Sequence, residues 1–147
     1  MKTVFDKTTR DQLILRINNL DENRSAEWGK MNLYQMLKHC SLWEEMAFGR
    51  KKYKRVFMGV IFGKIALKSL LKDEKPMSRN APTISQLKVK GNGNVTTEKK
   101  NWIAHMEAYA NFSNHKFVHP FFGKMTKEQI GYLAYKHADH HLRQFKA

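Results

Sequence analysis

"KHADHHLRQF", residues 136–145, places three histidines within five positions of one another. In a helix each residue advances about 100°, so side chains at i and i+4 stand one above the other, about 5–6 Å apart at Cβ. His137 and His141 have that spacing, and Gln144 falls on the same face a turn further on. Two imidazoles so placed can reach one metal ion at Zn–N distances of about 2.0–2.1 Å. His140 follows His137 by three residues, which leaves a 137/140 pair open, whereas Asp139 points to the opposite side. HxxxH is a weak signal alone, because a chain with seven histidines produces such spacings by chance. A third ligand from elsewhere in the chain must decide it.

The helix carrying these residues opens with a capping box. Thr126 and Gln129 satisfy each other's orphan backbone N–H groups, and Met125 with Ile130 staples the turn, which predicts a helix over about 127–145. Asn32 with Gln35, stapled by Met31 and Met36, opens a second helix over about 33–49. Thr9 with Gln12 opens a first over about 10–20. "TTEKKNWIAHMEAYANF" (96–112) reads as the third of the set, with Ile103, Met106 and Ala110 on one stripe.

Between the second and third helices lies an inserted segment, 50–95, with an extra helix at about 55–72 and an irregular remainder. Lys64, Lys68 and Lys72 form a polar line on that extra helix while most other positions are apolar. The pattern predicts a packing helix that turns its lysines to water; a helix lying on a membrane surface or a partner is the other reading. Only residues 86–90 alternate in a way that suits a strand. The expected class is all-α, a four-helix bundle with an extra helix inserted between helices 2 and 3, in a single domain over 1–147.

His39, His105, His115 and His119 are the candidates for a third ligand. His115 and His119 sit in a loop before Pro120, where solvation is the ordinary role, and His105 has polar neighbours. His39 flanks the apolar stripe of Leu33, Leu37 and Cys40. It lies about 10 Å along its helix at about 1.5 Å per residue, and His137 and His141 lie at a comparable distance from the far end of theirs. The three reach one depth only if the second and last helices run antiparallel. That requires a long crossover, and the insertion supplies its length.

Composition bounds the alternatives. With 147 residues, 41% hydrophobic and 27% charged, the chain has the make-up of an ordinary soluble globular protein. The lone Cys40 excludes an intramolecular disulfide and suits a reducing compartment. "MKTVFDKTTRDQL" has no apolar signal core and "VFMGVIFGKIAL" is too short to span a bilayer, so a cytoplasmic location is expected. Lys and Arg outnumber Asp and Glu by 27 to 13, a net charge of +14. The excess favours polyanions or anionic membrane, but the lysines are scattered and "RKKYKR" (50–55) is the single dense run. Nucleic acid is therefore not the expected partner.

"WGKMNLYQMLKH" (28–39), "HPFFGKMT" (119–126) and "HADHHLRQF" (137–145) together resemble the DinB/YfiT-like metalloenzymes, in a branch catalogued as a domain of unknown function. The resemblance covers about 28–145 and is weakest in the insertion. It implies an up-down-down-up four-helix bundle, a tendency to form homodimers, and a divalent metal ion, zinc or nickel, held by His39, His137 and His141. Gln144 matches the family's HxxxHxxQ glutamine, which implies a place just outside the coordination sphere. Related proteins include transferases and isomerases that depend on a thiol cofactor.

Three neutral imidazoles leave a tetrahedral ion one open position, the arrangement of catalytic zinc. Bound water there suits hydrolysis; a bound thiolate suits transfer of a low-molecular-weight thiol to a small-molecule substrate. No general base is evident in the motif. Glu44, Glu45 and Glu107 are the carboxylates to consider, with Glu44 the best placed although a solvated charge is its ordinary role. Cys40 reads as a small buried hydrophobe, Trp28 and Trp43 as core or pocket lining, and Arg143 as an exposed cation able to receive a substrate carboxylate. Two other classes compete: a non-enzymatic basic module for nucleic acid or anionic membrane, and a bundle whose histidines form a metal-free polar network.

Overall fold

The two capping boxes form as their sequences require. Asn32 Oδ1 accepts from Gln35 N at 2.8 Å while Gln35 Oε1 accepts from Asn32 N at 3.0 Å. Thr126 and Gln129 repeat the exchange at 3.2 and 3.0 Å. The computed structural model describes residues 1–147, and these boxes open α2 (Leu33–Ala47) and α5 (Lys127–Gln144). The other helices are α1 (Lys7–Asn18), α3 (Phe57–Leu70) and α4 (Val95–Ala108), with single 3-10 turns at Ser85–Leu87 and Tyr109–Asn111. The only sheet is a hairpin of β1 (Val118–His119) and β2 (Gly123–Lys124), antiparallel with Val118 opposite Lys124. The chain is thus mostly helical, and no helix is long and apolar enough to cross a membrane.

α4 and α5 each pack against both α1 and α2. The core between them holds Leu13 and Ile17 of α1, Met36, Leu37 and Cys40 of α2, Trp102 and Met106 of α4, and Ile130, Ala134 and Leu142 of α5. Burial of such side chains contributes about 1.5–3 kcal/mol each, before the entropy of ordering them is subtracted.

Four expectations need correction. The cap of α1 is Asp6, three residues before Thr9, whose backbone N–H it accepts at 2.7 Å. Asp6 is extended and carries a full negative charge, which makes it the better acceptor at a helix N-terminus. α4 ends at Ala108 and tightens into a 3-10 turn, so Ala110 is exposed and Trp102, His105, Met106 and Tyr109 form the buried stripe. Residues 86–90 form no strand; Leu87 is buried in the 3-10 turn, which packs on α2.

The fourth correction concerns the extra helix. α3 shows its lysines to water as expected, but it buries only Gly59, Gly63 and Leu67 and leaves six large apolar side chains exposed. Its N-terminal half seats on the β1–β2 turn, and only Leu67 and Leu70 near its end reach the main core.

Asp139 ties α5 to α1. Its carboxylate accepts from Arg16 Nη1 and from Arg143 Nε, both at 2.7 Å, and Arg16 also donates to the Ala147 carbonyl at 3.1 and 2.9 Å. Asp139 is nearly buried and Arg16 is about a quarter exposed, so the pair lies between the surface and interior cases. Asp139→Ala is expected to cost about 2–3 kcal/mol by removing the one carboxylate that balances the Arg16 charge, which keeps only the Ala147 carbonyl, read as a lowered urea midpoint. An unchanged midpoint would remove Asp139 from the contacts that hold α1 in place.

Candidate metal centre

The register set by the Asn32 box turns His39 toward α5, and the Thr126 box brings His137 and His141 to face it. Their rings meet with centroids 5.1 Å apart for His39–His137, 4.9 Å for His39–His141 and 4.7 Å for His137–His141. One nitrogen from each ring lies within 4.8 Å of the other two, and all three residues are buried. Trp43, one turn after His39, stacks on the His137 ring at 5.2 Å and 24°.

Hydrogen bonds fix two of the three tautomers. His39 Nδ1 lies 2.9 Å from the Leu87 carbonyl, which can only accept, so the ring proton is on Nδ1 and Nε2 carries a lone pair. Gln144 Nε2 donates to the Trp28 carbonyl at 2.7 Å, which orients the amide. Gln144 Oε1 therefore accepts from His141 Nδ1 at 2.9 Å, and His141 Nε2 is left bare. His137 Nε2 approaches His39 Nε2 to 3.0 Å, while His137 Nδ1 is buried without a partner.

Desolvation lowers the pKa of all three, and their mutual proximity lowers those of His137 and His141 further. The cluster is held uncharged, the form in which imidazole binds a metal.

The other sequence candidates lie elsewhere. His140 abuts the His141 ring but faces Trp28, edge-on at 5.6 Å. His105 is buried beside Arg50, 3.3 Å from its guanidinium. His115 is exposed, as expected. His119, expected in solvent, is buried instead: its Nδ1 accepts from the backbone N–H groups of Phe121 and Phe122 at 3.1 and 3.2 Å, closing the hairpin turn. Cys40 is core, with its Sγ 3.8 Å from Met36 Sδ, and burial raises its thiol pKa. Glu45 pairs with Lys51 at 2.9 Å, Glu107 is exposed, and Arg143 is engaged by Asp139. The two carbonyls that orient the cluster, Leu87 and Trp28, are backbone groups that no residue pattern could have singled out.

A mostly helical protein with a buried three-histidine cluster compatible with a metal ion is the class these features define. The chain belongs to the family described as "Protein of unknown function (DUF1569)", whose match spans residues 2–147. No curated protein and no solved structure matches it.

Glu44 differs from both of its expected roles. It is fully buried, and its carboxylate accepts from the Tyr109 hydroxyl rather than from any histidine of the cluster. Glu44 Oε1 and Trp102 Nε1 are both buried with no hydrogen-bond partner, although the indole lies near enough to favour the carboxylate. Desolvation wins, and the Glu44 pKa rises from 4.5 to about 8. Between those values the folded chain holds a proton that the unfolded chain releases, so Glu44 lowers stability progressively as pH rises through that window. Glu44→Gln removes the linkage. We expect variant and parent to be close at pH 5 and the variant to be more stable by about 2–4 kcal/mol at pH 8, measured by urea unfolding. A gap that does not change with pH would show that Glu44 is already charged at pH 5.

Proposed function

We propose that this chain is a metal-binding protein of the DinB/YfiT-like kind, in which His39, His137 and His141 hold one divalent ion, zinc or nickel, within an up-down-down-up bundle. The observation that carries the reading is the 3.0 Å approach of His137 Nε2 to the bare Nε2 of His39. With the His137 proton on Nδ1, two lone pairs face each other at that separation and repel unless a positive centre lies between them, and burial opposes supplying a second proton to either ring.

The donor set fits the ion. Tetrahedral coordination at about 2.0–2.1 Å places neighbouring nitrogens about 3.3 Å apart. The cluster is already near that spacing, with all three donors inside 4.8 Å. Leu87 and Gln144 occupy the Nδ1 protons of two rings, the outer hydrogen bonds that ligating histidines ordinarily make. The ion would offer an open position for water or a thiolate, which supports a hydrolase or a thiol-dependent transferase. A cleft of about 400 Å³ is lined by Trp28, Met77, Arg79 and His140 among others; none of the three ligands lines it, and only His140, whose ring abuts His141, links it to the cluster.

A metal-free network is the second reading, because a His137 Nε2–H donating to His39 Nε2 would also account for the short contact. Element analysis separates the two. The purified chain should carry about one zinc or nickel ion, and His39→Ala, His137→Ala and His141→Ala should each lose it. Gln144→Ala should weaken metal affinity about 10–100-fold while leaving the fold intact. Failure of the parent to take up either ion on dialysis would overturn the metal reading in favour of the network.

A further inference from the structure

α3 is an apolar helix with its apolar side facing out. Gly59 and Gly63 press against the β1–β2 turn so closely that a Cβ at either would sit 2.4 or 2.1 Å from the Phe121 carbonyl oxygen. Arg55 pins the start of the helix, donating to Pro120 and Gly59 carbonyls at 3.1 Å each, and Lys64 donates to the Lys124 carbonyl. With that narrow strip seated, Phe57, Met58, Ile61, Phe62 and Ile65 fall on the opposite arc at helical spacing. Phe57 is 76% and Ile65 70% exposed, and Val60 at the flank is 62% exposed. A contiguous apolar surface of this kind on a soluble chain marks an interaction site.

Charge identifies the occupant. From Met46 to Lys72 there are eight Lys and Arg residues and no Asp or Glu. Lys52 and Lys54 just before the helix, and Lys68 and Lys72 at its end, are exposed. Pairing α3 with α3 of a second copy would set these basic segments together on chains that each carry +14. Nucleic acid would match the lysines and leave the apolar arc in water. An anionic bilayer answers both, with acyl chains for the arc and headgroup phosphates for the lysines. Fourteen residues span about 21 Å, short of the roughly 30 Å hydrocarbon core, so the helix would lie in the interface and not cross it.

We propose that α3, with the basic run preceding it, docks this protein in the plane of an anionic phospholipid membrane. The test is co-sedimentation of the full chain with vesicles of phosphatidylcholine alone and of phosphatidylcholine mixed equally with phosphatidylglycerol. Binding is expected only to the anionic vesicles and should fall steeply with added salt. The exposed-face variant Phe57→Ser/Ile61→Ser/Ile65→Ser should lower it more than tenfold. Lys52→Gln/Lys54→Gln, which leaves the helix untouched, should lower it about thirtyfold, at about 1 kcal/mol per charge near the surface. Absence of vesicle binding, equal binding to both compositions, or full binding by either variant would overturn the proposal. So would a dimer in sedimentation that the serine variant splits while vesicles remain unbound, since a second copy would then be the occupant. Oligonucleotide binding that the lysine variant alone abolishes, again with vesicles unbound, would overturn it in favour of nucleic acid.

Discussion

The hydrogen bond between His39 Nδ1 and the Leu87 carbonyl, 2.9 Å long and buried, is the contact on which the histidine cluster depends. It spends the only proton a neutral imidazole carries and so leaves Nε2 bare toward His137 and His141. Rotating the ring or freeing its proton would place an N–H where a lone pair now stands. The acceptor comes from the insertion rather than from any core helix, in a 3-10 turn held down by burial of Leu87 itself. An irregular segment therefore sets the tautomer of a buried histidine on a core helix.

The cluster is asymmetric in an informative way. His39 and His141 each have an orienting acceptor, while His137 has none and is positioned by stacking on Trp43. Stacking fixes the plane of a ring but not which nitrogen is protonated. His137 is consequently the one member whose proton can sit on either nitrogen, and its pKa is held down first by desolvation and then by His141, His39, His140 and His119. A cation at the centre would select the Nδ1–H form and a bare network the Nε2–H form.

Much of this was legible in the residues because it rests on local rules. The boxes at Asn32 and Thr126 depend on residues three apart, and the His137/His141 pair on residues four apart, so spacing alone reveals them. The convergence of His39 with that pair followed from matching depths along two helices. What stayed hidden depends on solvent exposure or on backbone groups. Glu44 and His119 look like ordinary polar residues in sequence, and only the packing of Tyr109 and Trp102 around one, and of the hairpin around the other, takes them out of water. The outward face of α3 was misread for a related reason. Apolar composition predicts burial only when there is a core within reach, and Gly59 and Gly63 commit the helix to a turn too small to cover it.

His119 links that helix to the rest of the fold. Its Nδ1 accepts two backbone N–H groups in the turn on which Gly59 and Gly63 rest, a role open only to the neutral ring. Burial, with Arg55 nearby, lowers its pKa to about 3, so the folded chain refuses a proton that the unfolded chain accepts below about 6.5. Acid therefore erodes stability across that interval, while the turn within each folded molecule keeps its acceptor. Arg55 works in both directions at once: its charge discourages protonation of His119, and its guanidinium bridges the Pro120 carbonyl of the turn to the Gly59 carbonyl of α3. The seat of α3 is thus held by a neutral histidine on one side and a permanent cation on the other, and neither changes state near neutral pH.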